Sequence, residues 1–204
     1  MALSNYTDLQ AICADFLNRS DLTDIIKDWI KMAEAEFNRV LRTREMAVRT
    51  RSPLSTQYVK LPPDFIGMRN IELITDPITP LEYRNPHTLD IHRSKDATGK
   101  PLYYSVIQDN LEFAPVPDSE YTLEIVYYQK VPALSVHTTN WLLDNHPDAY
   151  IYGTLLQSPV YLGHDERISL WLGRYNQIIE QITTSDQKAS FSGSTPSIAF
   201  TPYG

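Results

Sequence analysis

WIKMAEAEFNRVLRTREM, residues Trp29 to Met46, decides how this chain is read. Leu22, Ile25, Ile26, Trp29, Ile30, Ala33, Phe37, Val40 and Leu41 step by three and four, so they share one face of a 3.6-residue helix. That helix runs out through Arg39, Arg42 and Arg44, and Arg49 and Arg51 follow closely. Beyond Glu45 the period shortens. Met46, Val48 and Thr50 alternate with their neighbours as a half-buried strand requires. A helix gives way to a sheet within this one stretch.

Upstream, Leu9, Ile12, Cys13, Phe16 and Leu17 repeat the helical spacing, which predicts a first helix from about Asp8 to Leu17. Thr7 with Gln10 three residues later reads as its capping box, and Asp21 as the cap of the second helix. Asn18-Arg19-Ser20 is only long enough for a turn, so the two helices are expected to form a hairpin over residues 1–44.

Downstream, residues 45–135 read as a small antiparallel β-domain. Gln57–Leu61, Met68–Ile74, Leu102–Ile107, Leu111–Phe113 and Tyr121–Tyr128 are its strands, with a proline break at Pro62-Pro63 and a turn at Asp109-Asn110. Asn85-Pro86 opens one short helix. Helices return over 136–184. Pro147 starts one, Pro159 kinks or ends it, and Ile168, Trp171, Leu172, Tyr175, Ile178, Ile179 and Ile182 mark the stripe of the last. The fold class expected is α+β, a mainly helical bundle formed by both ends of the chain around a small antiparallel β-domain. Residues 185–204 are a different material, eleven of twenty being Ser, Thr, Pro or Gly. Phe191, Ile198, Phe200 and Tyr203 are too few to offset the entropy of ordering that tail, so it is expected to be an extended or disordered arm that docks on a partner.

The composition, 42% hydrophobic and 21% charged over 204 residues, is that of a globular chain able to bury a core. No apolar run approaches the roughly 18 residues of a membrane span, and the N-terminus lacks a signal-peptide pattern, so the chain is expected to begin in a cytoplasm. The lone Cys13 excludes an internal disulfide and lies on an apolar helix face, where packing is its expected role. A net charge of −7 argues against general affinity for phosphate backbones.

Chemistry is sparse. Neither a Gly-rich phosphate loop nor a nucleophile elbow is present, and His87, His92, His137, His146 and His164 are scattered. No catalytic residue, metal ligand or cofactor is assigned. Glu34 and Glu36, two apart, point to different sides of their helix and are expected on a solvated face. Three readings of Arg39, Arg42, Arg44, Arg49 and Arg51 stand, in this order: an intersubunit strip meeting acids such as Asp21, Asp24 and Asp28 of a neighbour, a solvated face, and a DNA contact. Thirteen tyrosines against six phenylalanines suit surfaces buried on assembly, with Tyr103-Tyr104 and Tyr127-Tyr128 placing one ring on each sheet face.

Three segments in this order carry a resemblance: LSNYTDLQAICADFLNRSDLTDIIKDWIKMAEAEFNRVLRTREM (3–46), LPPDF (61–65), and HPDAYIYGTLLQSPVYLGHDERISLWLGRYNQIIEQI (146–182). Within the last, Pro147, Tyr161-Leu162, Asp165-Glu166, Trp171 and Tyr175 carry the pattern, while Ser158 and Pro159 interrupt the plain helix expected there. Together they resemble the head-to-tail connector (adaptor) proteins of short-tailed bacteriophages. The resemblance implies a structural protein of the virion, assembled in the host cytoplasm as a homo-oligomeric ring, a dodecamer. It would sit between the portal protein and the tail nozzle protein, with DNA passing through its centre without sequence-specific binding. The alternatives are a virion-associated peptidoglycan hydrolase, for which Glu34, Glu36 or Glu45 would be the carboxylates to test, and a Tyr-rich sugar-binding module.

Overall fold

Asn5 starts the first helix. In the computed structural model, which describes residues 3–92, 98–163 and 166–190, its side chain accepts the N–H groups of Thr7 and Asp8, and α1 runs Tyr6–Leu17. The cap is therefore Asn5 and not Thr7, and Gln10, expected to reach back to it, is buried. Asp8 bonds Ser4 instead, through both the backbone N–H and the hydroxyl. The helix closes on Asn18 in the left-handed conformation (φ 52°), with Asn18 N–H on Asp15 O and Arg19 N–H on Ala14 O. This paired closure is the Schellman arrangement, and asparagine tolerates it better than most residues.

α2 (Thr23–Val40) follows after a turn. Its N-cap position is Leu22, which gives no side-chain cap, because the Asp21 carboxylate expected there is held by both Nε and Nη2 of Arg19 at 2.7 Å. Ile26, Trp29, Ile30, Ala33 and Phe37 are buried as the stripe predicts. The later helices are α4 (Trp141–Asn145), capped by Asn140, α5 (Pro147–Leu155) and α6 (Pro159–Leu162), which take proline in the first turn, and α7 (Ile168–Ser190). α5 touches α1, α2 and α7. Phe37 anchors that packing, edge-on to Tyr150 at 5.0 Å. Gly153 permits it: a Cβ there would stand 2.9 Å from Phe37 Cζ. α7 continues to Ser190, six residues into the stretch expected to be tail. Phe191, Ile198, Phe200 and Tyr203 lie outside the described residues.

Met1–Arg44 and Val131–Gly204 make up this first compact unit, and Glu45–Lys130 the second. Val131 and Leu134, expected with the strands, are tied to α2 through Asn38 and Glu34.

The second unit differs from the single antiparallel sheet expected. Two four-stranded sheets share its core. One orders β1 (Ala47–Leu54), β8 (Tyr121–Gln129), β3 (Phe65–Leu73) and β4 (Thr79–Pro80). The other orders β2 (Tyr58–Lys60), β7 (Asn110–Ala114), β6 (Tyr103–Ile107) and β5 (Glu82–Tyr83), of which β5 and β6 run parallel. Strands as short as β4 and β5 leave no alternation to read. Ile71, Leu73, Leu123, Ile125 and Tyr127 from the first sheet meet Tyr104, Leu111 and Phe113 from the second. Tyr104 and Tyr127 are thus core residues, the latter with its hydroxyl on Asp64 at 3.1 Å. Asn85 caps the short α3 (Pro86–His92) by accepting Thr88 N–H at 2.8 Å.

Candidate interaction surfaces

The five arginines are all exposed, but the two units divide them. Arg39 is in the last turn of α2. Arg42 folds back to donate to the carbonyls of Asn38 and Leu41, where cations suit the negative end of the helix. Arg44 lies against Asp186 of α7, its backbone N–H 3.0 Å from Oδ1. Arg49 and Arg51 stand two apart on the outer face of β1 and converge on Glu124 of β8. Arg51 Nε is 2.6 Å from Oε2, and Arg49 Nη1 is 3.2 Å from Oε1.

The acids proposed to meet these arginines across a subunit boundary already have local partners. Asp21 pairs with Arg19, Asp24 with Lys27 at 2.8 Å and Asp28 with Lys31 at 3.4 Å. Hydrogen bonding from Arg19 holds the Asp21 carboxyl down at about 2. Such exposed pairs are worth little each, so they exchange readily for a new partner.

Glu34 corrects a sequence expectation. It is buried, not solvated. Its Oε1 accepts Leu134 N–H at 2.8 Å and the Tyr150 hydroxyl at 3.4 Å. Asn140 joins them, donating to Tyr150 Oη and Pro132 O at 2.7 Å each and accepting Leu143 N–H at 2.9 Å. Burial pushes the Glu34 carboxyl above its ordinary value, opposed by those two donors. Its place was legible: Glu34 lies four residues after Ile30 and three before Phe37, within the apolar stripe. Glu124 was missed for a different reason, since its arginine partners are 73 and 75 positions away and only strand register brings them together.

Glu36 is half-buried and accepts Gln157 Nε2 at 3.2 Å, while Glu45 is exposed. Of the three carboxylates weighed for hydrolysis, Glu34 is closed off from a polymeric substrate. His87 and His137 are exposed and His146 half-buried. The His92 side chain and His164 lie outside the described residues. Among the described residues no three His, Cys, Asp or Glu are grouped to hold a metal, and no helix is long and apolar enough to cross a membrane. Burial pushes the Cys13 thiol up to about 12, which makes it a packing residue.

A family model described as SU10 adaptor protein matches residues 4–197. No curated protein compared with the chain matches it.

Proposed function

We propose that this chain, which belongs to the SU10 adaptor protein family, is a structural head-to-tail connector that closes into a ring between portal and tail nozzle. The single observation that carries the reading is the family match over nearly the whole chain, both compact units included. A family of adaptors implies assembly with other head and tail proteins. The finer placement is our reading: a dodecameric ring with DNA passing through it, built by heterologous contacts in which each subunit presents two different faces. Arg39, Arg42 and Arg44 remain candidates for those contacts because their side chains lie at the surface, and Asp24 and Asp28, the acids a neighbour would offer them, are held only in exposed, exchangeable pairs. Phe191, Ile198, Phe200 and Tyr203 are proposed to dock on the portal.

Mixing the purified chain with the portal and imaging the product tests the reading. A closed ring on one face of the portal is the expected result. A chain that stays monomeric beside the portal and clears peptidoglycan would overturn it. Deleting residues 191–204 isolates the tail's part. The cut spares Asp186, so the helical unit keeps its stability while attachment weakens.

A further inference from the structure

The four outer edges of the two sheets are unequal. β2, β4 and β5 are three, two and two residues long. The part of β3 that β4 leaves uncovered is broken by register shifts between Phe65 and Gly67 and between Met68 and Asn70. Short strands and bulges are the usual protection of a sheet edge against foreign strands. β1 has neither. It pairs with β8 in unbroken register over all eight residues, Ala47 opposite Tyr128 through Leu54 opposite Tyr121. No other backbone hydrogen bond among the described residues involves Ala47–Leu54. Half of its peptide groups therefore point away from β8, with no strand among the described residues beyond them.

Charge says what fits there. On the outer face of the sheet, the row through Arg51 continues into Glu124 and then Glu72 of β3. Arg49 reaches diagonally to the same Glu124, so two guanidiniums share one buried carboxylate. Their side chains stay 67% and 61% exposed, each with most of its donors in solvent. A strand added beyond β1 would place residues two apart directly opposite Arg49 and Arg51. A second copy pairing β1 against β1 would set arginine beside arginine, which is destabilising.

We infer that β1 is a docking edge for an extended segment of a partner protein that carries acidic residues at alternate positions. Backbone bonds from the outward groups of Ala47–Leu54, Pro53 offering no N–H, supply the affinity, and Arg49 and Arg51 select for acids on the incoming strand. The surface stands independently of the ring, since it needs only the second compact unit's own edge.

Hydrogen exchange on the full chain tests it, with two synthetic octapeptides as probes, one alternating glutamate with valine and one alternating lysine with valine. In the free chain alternate amides of β1 should exchange fast. The glutamate peptide at low salt should slow those same amides by about tenfold or more, and raised salt should reverse the effect. Arg49→Lys with Arg51→Lys should preserve the response. The triple variant Arg49→Glu, Arg51→Glu, Glu124→Gln should transfer it to the lysine peptide without stranding a buried charge. Equal slowing by both peptides, or none by either, would overturn the inference. Slowing that follows protein concentration without peptide would also overturn it, in favour of a second copy.

Discussion

Glu34 and Glu124 are both buried, one among helices and one on a sheet, and they are compensated in opposite ways. Glu34 is met by neutral donors, Leu134 N–H and the Tyr150 hydroxyl, so its charge stays costly and its pKa rises. Glu124 is met by two guanidiniums that themselves keep contact with water. The helical site spends a carboxylate on positioning a loop. The sheet site uses one to hold two cations at the surface. Removing either acid therefore leaves behind different things: orphaned buried donors in the first case, solvated arginines in the second.

The largest effects belong to the cores that support the two sites. Trp29→Ala and Trp171→Ala in the helical unit, and Phe113→Ala in the sheet unit, should each cost about 3–5 kcal/mol in denaturant unfolding. All three side chains are buried. Midpoints that scarcely move would remove the corresponding core from the account.

Next comes the double change Arg49→Ala with Arg51→Ala, which leaves Glu124 buried without a cation. A loss of about 2–4 kcal/mol is expected, below that of a fully buried pair because the guanidiniums are exposed. Glu124→Gln, by contrast, should cost less than about 1 kcal/mol, since its partners remain hydrated. Equal losses from the two ends of this contact would erase the distinction between the sites.

Glu34→Ala should cost about 1–3 kcal/mol by orphaning Leu134 N–H and the Tyr150 hydroxyl. Glu34→Gln keeps an acceptor and separates charge from hydrogen bonding. Because burial raises the folded pKa of Glu34 above 4.5, the native state holds its proton more firmly than the unfolded chain. Its contribution is then fully present below 4.5 and lost as pH rises through the folded value. Unfolding curves at several pH values should show the glutamine variant gaining on wild type across that interval and level outside it. A constant difference would show that Glu34 titrates normally.

The smallest effect is an absence of reaction. Cys13, fully buried with its thiol pushed up to about 12, should resist a thiol reagent in native protein and react as fast as unfolding allows. The Trp171→Ala variant should be labelled sooner, so one thiol reports opening of the helical unit.

How much of this was legible follows from what each residue needs to know. The stripe from Ile26 to Phe37 is local, and the helix it predicts is the one that forms. The sequence does not rank the caps, because Thr7, Asn5 and Asp8 are all competent acceptors and only the backbone path selects Asn5. Asp21 was drawn from its expected cap by Arg19, a competition that composition does not rank. The strong alternation of Tyr121–Tyr128 marked β8, yet nothing in it says that the strands divide into two sheets or that β5 runs parallel to β6. The density of the arginines is plain in the sequence. The destinations of Arg44, Arg49 and Arg51 are Asp186 and Glu124, partners 73 to 142 positions away that no local pattern reveals.

Ala47 and Tyr128 face each other across neighbouring strands, which has a consequence for how the chain reaches its fold. The helical unit is sewn from two distant pieces, and Arg44 and Val131 are the stitches: Asp186 accepts the N–H of one, and Asn38 that of the other. While the intervening segment is unfolded, α2 must find its C-terminal partners across a long floppy loop. Once the sheets have formed, that loop is shorted near its base by a cross-strand pair about 5 Å apart. Shrinking the effective loop roughly tenfold lowers its closure entropy by about 2 kcal/mol. The sheet unit thus acts as a clasp, and the order of events it favours is clasp first, helices second.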